Sequence, residues 1–141
     1  MTVSDAVPEN QKGGALVELA LALPILVLVL FGLLEFGYLM YAKGVIANAS
    51  REGARYGVVL SSPRRTRAEV EARVREYLHK SGFNDPVDIT FPNFPNPPED
   101  VSGAPLTVRV EYEYRFVVLP NFVQSITGPL TLTAETVMHL E

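Results

Sequence analysis

The chain has 141 residues, with 16 acidic and 12 basic side chains, a net charge of −4 and no cysteine. This composition excludes disulfides, thiolate metal sites and cysteine nucleophiles, and the mild charge gives no field that would attract nucleic acid. The length holds about one small domain beside a terminal segment, so a second, catalytic domain does not fit.

The first two segments differ sharply in polarity. Residues 1–12 are polar and show no helix or strand period, which predicts a disordered leader. Residues 13–42 are strongly apolar, and residues 19–34 carry no formal charge. At ~1.5 Å per residue, the run to residue 42 is long enough for a hydrocarbon core of roughly 30 Å. We therefore predict a single-pass membrane helix over residues 14–42, in contact with membrane lipid.

A carboxylate, Glu35, lies inside the apolar run. Another carboxylate, Glu18, opens this run, and a carboxylate at a membrane boundary costs at worst roughly 2.5–3.5 kcal/mol, so it usually has a partner or a purpose. Two interpretations remain open from the sequence. Glu35 either snorkels to the far interface near Lys43 or contacts another subunit.

Beyond the apolar run, the helical period continues to about Leu60 and carries a stripe of small residues. Ala49, Gly53 and Gly57 follow one another at intervals of four, which places them on one helix face. Small residues allow another element to approach closely. The stripe is predicted either to pack against the chain's own head or to contact other subunits.

A second, amphipathic helix is predicted to begin after Thr66, which can cap it together with Glu69 three residues later. Gly82 is a suitable C-terminal stop. The helix has an apolar face formed by Val70, Val74 and Leu78. Its other face is basic but interleaved with acids, which is typical of a solvated surface rather than of a nucleic-acid site.

The remainder of the chain predicts about three antiparallel strands. Alternation of apolar and polar residues begins at Val87, is clearest over residues 106–116 and returns over residues 130–140. A proline-rich loop over residues 92–105 separates the first two strands. Because the apolar sheet face needs helices to cover it, the predicted class is α+β, with a small head over residues 43–141.

The sequence contains no phosphate-binding loop, nucleophile elbow, zinc motif or calcium loop. His79 and His139 are sixty residues apart and are predicted to be surface residues rather than ligands. Glu111 and Glu113 fall on the polar face of a strand beside arginines, where ion pairing explains them better than acid–base catalysis. We therefore expect no enzymatic activity, no metal or other cofactor and no small-molecule substrate.

Two motifs in residues 12–57 carry a family resemblance. The sequence KGGALVEL, from Lys12 to Leu19, resembles the processing site of class IV prepilins of the tight-adherence (Tad) pilus group. The Leu-Pro step at Pro24, the GLLEF stretch around Glu35 and the block NASREGARY over residues 48–56 are similar to TadE-like pseudopilins. Leu19 departs from the aromatic residue more frequent at its position in that group.

The resemblance implies a pilin-like fold and a function in assembly or priming of a Tad pilus. A membrane prepilin peptidase would cut after Gly13, remove the leader 1–13 and leave Gly14 as the new amino terminus, with Glu18 as the fifth mature residue. Glu18 would then attract the amine of a neighbouring subunit; capping of the first helical turn is the alternative for this carboxylate. The implied partners are the peptidase, other pilins and pseudopilins, and the Tad assembly platform.

The same resemblance implies a location in the bacterial inner membrane, with the leader cytoplasmic and the head outside the cytoplasm. The charge distribution favours the opposite orientation, because Lys43, Arg51 and Arg55 follow the span whereas Lys12 alone precedes it. Processing requires a cytoplasmic leader, so we expect the head outside. The alternative function is a signal-anchored binding module that is not incorporated into a pilus.

Overall fold

The computed structural model describes residues 9–83, 86–94, 102–117 and 128–141, with the side chains from residue 13 onward. The elements are α1 (Glu9–Val58), α2 (Arg67–Lys80), β1 (Val87–Thr90), β2 (Pro105–Tyr114) and β3 (Leu130–His139). The strands form one antiparallel sheet in the order β1-β2-β3. The longest element, α1, packs with its C-terminal half against α2, β2 and β3, and β1 joins the sheet through β2. The predicted α+β class is therefore confirmed.

Helix α1 starts earlier than the sequence pattern indicated. It begins at Glu9, so that the last residues of the predicted disordered leader are helical, and it continues through Pro24 to Val58. Glutamate, glutamine and lysine favour helix, and the apolar segment that follows gives this first turn a helix to extend. Residues 1–8 lie outside the described part of the chain.

Helix α2 begins and ends as predicted. The Thr66 backbone N–H donates to Glu69 Oε2 at 2.6 Å, and the Glu69 N–H donates back to the Thr66 hydroxyl at 3.3 Å. Gly82 has φ +79°, a conformation that glycine adopts without a Cβ penalty. The three predicted apolar positions of α2 are buried, namely Val70, Val74 and Leu78.

The apolar face of the sheet packs against α1. Strand β2 alternates as predicted except at Thr107, which is also buried, and it buries a column of apolar and aromatic side chains, namely Leu106, Val108, Val110, Tyr112 and Tyr114. These residues, together with the inward residues of β1 and β3 and the apolar face of α2, form the core. Most of the predicted proline-rich loop, and the loop between β2 and β3, lie outside the described residues.

Candidate functional site

The N-terminal half of α1 stands clear of the head. From residue 13 to residue 34 no side chain is buried, although most are leucine, valine, isoleucine or phenylalanine. Within the described residues this is the single helix long and apolar enough to cross a membrane, with a mean hydropathy of 2.7 over its best window. So large an exposed apolar surface requires lipid or other helices around it. The protein therefore carries a single-pass membrane anchor.

The predicted processing residues lie at the beginning of this exposed segment, inside the helix. A Cβ added at Gly13 or Gly14 would meet no heavy atom of another segment within 4 Å, and Glu18 is exposed one turn further on. Each glycine weakens a helix by roughly 1 kcal/mol relative to alanine. The pair therefore marks a point at which the helix opens at low cost.

Glu35 lies where the exposed segment meets the head. It is 2% exposed, and its carboxylate Oε1 accepts hydrogen bonds from the Tyr114 hydroxyl at 2.5 Å and from the Val117 backbone N–H at 3.0 Å. Burial, assisted by the hydrogen bond to Glu35, raises the pKa of the Tyr114 hydroxyl, which therefore remains a proton donor. The structure thus gives Glu35 partners within its own chain, at the end of β2, rather than the position near Lys43 that snorkelling would produce.

Aromatic rings surround this junction. Tyr38 packs on Tyr114 with ring centroids 6.0 Å apart, and Tyr41 packs on Phe83 at 6.2 Å. The Tyr41 hydroxyl also donates to the Ser81 carbonyl at 3.1 Å, just beyond the end of α2. Aromatic pairs of this kind each add about 0.5–1.5 kcal/mol beyond their buried area. The rings therefore hold the head against α1 at the level where the exposed segment ends.

The small-residue stripe packs inside the head. Ala49, Gly53 and Gly57 are all buried, and the two glycines lie against α2 and β2. A Cβ at Gly53 would lie 2.3 Å from Val74 Cγ2, and a Cβ at Gly57 would lie 2.4 Å from Leu106 Cδ2. The structure therefore assigns these three residues to the chain's own core, which is the first of the two interpretations, and leaves them no exposed surface for another subunit.

This close approach predicts a clear effect on stability. We expect Gly53→Ala to lower the free energy of unfolding by about 1–3 kcal/mol, because the added methyl group overpacks the contact with Val74. Gly44→Ala is the matched control on the same helix, since its Cβ meets nothing within 4 Å and it gains roughly 1 kcal/mol of helix propensity. Denaturant unfolding of the full chain in detergent measures both. Equal effects of the two substitutions would contradict the close packing.

A charged cluster ties α1 to α2 on the other side of the head. Glu52 accepts hydrogen bonds from Arg73 at 2.8 and 3.1 Å and pairs with Arg55 at 3.1 Å. The Arg73 hydrogen bonds, aided by Arg55, hold the pKa of Glu52 below its usual value although burial opposes them. The pair therefore stabilises the fold at neutral pH, and its contribution is lost as the pH falls through the lowered pKa.

Most of the remaining basic side chains of α2 also have intramolecular acidic partners. Arg75 pairs with Glu71 at 2.8 Å, and Lys80 pairs with Glu76 at 2.5 Å. These exposed pairs each contribute a fraction of a kcal/mol. They agree with the predicted solvated face, and the two histidines are exposed as predicted.

Sequence reasoning singled out Glu35 but missed its partners. Tyr114 and Val117 lie 79 and 82 residues further along the chain, and the alternation that includes Tyr114 indicates a buried strand face without saying what that face contacts. The sequence did contain one indication of this pair. Glu35 is an acid in an apolar helix, and Tyr114 is a tyrosine on a buried strand face whose hydroxyl needs an acceptor. Within the described residues, no group of three His, Asp or Glu side chains could hold a metal ion.

An exposed apolar helix that continues into an α+β head defines a membrane-anchored α+β protein. Residues 13–55 match the model of the family described as TadE-like protein, which confirms the resemblance over this part of the chain. The match covers the exposed segment, Glu18, Glu35 and most of the small-residue stripe. No curated protein and no solved structure matches the chain significantly.

Proposed function

We propose that the protein is a minor pseudopilin that acts in assembly or priming of a Tad-type pilus. The observation that carries this proposal is the exposed apolar half of α1, which lies within the TadE-like match and which the head leaves uncovered. A helix of this kind has two suitable environments, lipid and a bundle of similar helices. A pseudopilin uses the first before assembly and the second afterwards.

Processing after Gly13 allows the helix to move from the lipid into a bundle of similar helices. The peptidase binds an extended segment, so the helix must open locally, and the adjacent Gly13 and Gly14 make this the least costly place in its first turns. Cleavage removes residues 1–13 and creates an ammonium group on Gly14. The new charge lies one helical turn from Glu18, at the end of the helix where a neighbouring subunit would meet it.

Glu18 then supplies the contact that selects a neighbour. Within the described residues it has no ion pair, and its side chain is exposed. In an apolar bundle, the attraction between this carboxylate and the amine of an adjacent subunit is much stronger than in water. Pairing offsets the desolvation of both charges, so helices without the free amine are disfavoured as partners.

The orientation follows from the processing step. The leader is cytoplasmic, the helix crosses the inner membrane and the head lies outside the cytoplasm, from where the subunit can enter a surface pilus. Partners in this scheme are the prepilin peptidase, other pilins and pseudopilins, and the assembly platform.

Mass spectrometry of the protein from cells that contain the peptidase tests the proposal. We expect loss of residues 1–13, and an intact chain when Gly13→Leu places a bulky side chain at the scissile bond. Gly32→Leu is the matched control, because Gly32 lies in the same exposed segment with nothing within 4 Å of its Cβ position. An intact amino terminus in the unsubstituted protein would overturn the proposal and favour the signal-anchored binding module.

A further inference from the structure

The end of strand β2 reaches the level at which the lipid-facing helix ends. The twenty residues 15–34 of α1 are apolar except for Glu18 and span about 30 Å, the thickness of a hydrocarbon core. Glu35 is the next residue, and it binds the Val117 N–H at 3.0 Å. With residues 15–34 placed in the hydrocarbon core, Glu35 lies at its boundary, and the hydrogen bond to Val117 places that residue at the same level.

The side chains around this level are apolar or aromatic and remain exposed. Phe36, Tyr38 and Tyr41 follow Glu35 on α1, and Val117 is 64% exposed beside it. We call these four residues the collar. The headgroup layer is roughly 5–8 Å thick on each side of the bilayer, so at ~1.5 Å per residue Tyr38, about 6 Å beyond Leu34, lies within it, and Tyr41, about 11 Å beyond Leu34, lies just past its outer edge. Tyrosine is enriched at this depth because its ring is apolar and its hydroxyl is polar.

We propose that the collar docks the head on the lipid headgroup layer, so that the head is seated on the membrane instead of standing away from it on a free helix. The inference rests on the membrane anchor alone and requires neither cleavage nor a pilus. The collar is continuous with the lipid-facing surface of α1, and no polar segment separates the two.

The distribution of the collar around α1 favours lipid over a second protein. At 100° per residue, Phe36 and Tyr38 project about 160° apart, and Phe36 and Tyr41 project about 140° apart. A partner subunit covers one side of a helix, whereas headgroups surround it. Tyr38 and Tyr41 lie on the side of α1 that packs on the head but stay 37% and 53% exposed, whereas Phe36 lies on the opposite, uncovered side and is 61% exposed. Headgroups can contact both sides at this level, so the exposed rings fit a lipid environment better than a one-sided interface.

The opposite end of the head provides an internal comparison. Strand β2 runs beside α1 from Leu106, next to Gly57, to Tyr114, next to Glu35. Val137 pairs with Thr107 at the far end, at roughly 3.3 Å per residue about 23 Å from Tyr114, and is 52% exposed. Val117 and Val137 are thus two exposed valines on the same head, one at the proposed membrane level and one far from it.

Single-tryptophan fluorescence tests this seating, because the natural chain contains no tryptophan. The full-length variants Val117→Trp, Val137→Trp and Leu28→Trp are reconstituted in phosphatidylcholine vesicles, with and without lipid brominated in the upper part of the acyl chain. We expect Val117→Trp to lose roughly half of its emission in brominated vesicles, Leu28→Trp to be quenched and Val137→Trp to keep its emission.

Quenching of Val117→Trp no stronger than that of Val137→Trp, with Leu28→Trp quenched, would overturn the proposal. A blue shift of Val117→Trp that grows with the protein-to-lipid ratio, without quenching by bromine, would show that a second copy covers the collar and would also overturn it. Failure of cleavage after Gly13 leaves this result unchanged, so the two proposals are tested separately.

Discussion

We expect Tyr114→Phe to lower the free energy of unfolding by about 2 kcal/mol, although it removes only one oxygen atom and keeps the ring. The lost hydroxyl donates to Glu35 Oε1 at 2.5 Å, and that carboxylate belongs to a residue only 2% exposed at the junction of helix and head. Hydrogen bonds to charged groups contribute roughly 1.5–3 kcal/mol, and a buried acceptor left without its donor incurs a desolvation cost. Denaturant unfolding of the full chain in detergent, followed by the near-UV circular dichroism of the tyrosines, measures the change.

The matched control is Tyr77→Phe, which removes the same atom from a half-buried tyrosine of α2 that does not bond to Glu35. We expect it to change the unfolding free energy by less than about 0.5 kcal/mol. Similar losses in the two variants would contradict a specific role of the Glu35 contact.

A double-mutant cycle isolates this contact from the packing around it. Glu35→Ala leaves the Tyr114 hydroxyl and the Val117 N–H without their acceptor, so it is destabilising by itself. If the two side chains act as a pair, Tyr114→Phe costs little more in the Glu35→Ala background, and the coupling free energy is about 1.5–3 kcal/mol. Additive effects would place the stabilisation elsewhere in the junction.

The predictable part of this fold is the part set by local rules. The capping pair Thr66 and Glu69 and the left-handed Gly82 define both ends of α2 in the sequence and in the structure. The alternation over β2 likewise predicts which residues are buried, because a strand with one covered face must place apolar side chains at every second position.

The less predictable part is the choice of partner. The small residues Gly53 and Gly57 indicate that another element packs closely against α1. Packing by α2 and β2 and packing by another subunit require the same small side chains, so the sequence does not distinguish them. Glu35 raises the same difficulty. An acid in an apolar helix needs hydrogen-bond donors, but the sequence does not say which residues supply them. In both cases the partner comes from residues distant in the sequence, and a periodic pattern contains no information about them.

The beginning of α1 differs from its prediction for another reason. Polar composition and lack of a period indicate a segment that cannot bury a face, and this reasoning suits an isolated peptide. Residues 9–12 are instead joined to a long apolar helix, which removes the cost of nucleation and lets good helix formers extend it. The consequence for function is that the proposed cut site lies within a helix, so opening at Gly13 and Gly14 becomes part of processing.

If the protein acts as the proposed pseudopilin, we expect Glu18→Ala to abolish pilus formation while leaving the head folded. Within the described residues Glu18 contacts no part of the head, and the core lies entirely on the C-terminal half of α1. The substitution therefore leaves the unfolding free energy of the head unchanged. In the pilus, it leaves the amine on Gly14 of the adjacent subunit buried without its partner, at a cost of about 3–5 kcal/mol per contact.

A loss of this size corresponds to a fall of more than about a hundredfold in each association constant. Electron microscopy of pili, with immunoblots for the amount of membrane-bound subunit and mass spectrometry of its amino terminus, separates assembly from expression and cleavage. Leu21→Ala is the matched control, since it removes an exposed apolar side chain from the same segment without removing a charge.

Glu18→Gln distinguishes the two roles of the carboxylate. Glutamine retains hydrogen-bonding capacity and fits the first helical turns, but it carries no charge with which to offset a buried ammonium group. If Glu18 acts by charge pairing, Glu18→Gln loses pili as Glu18→Ala does, and both remain cleaved after Gly13. If Glu18 is only a helix-terminal acid stabilised by the dipole, both variants form pili in normal number, because a change of about 0.3–1 kcal/mol in one helix does not prevent assembly.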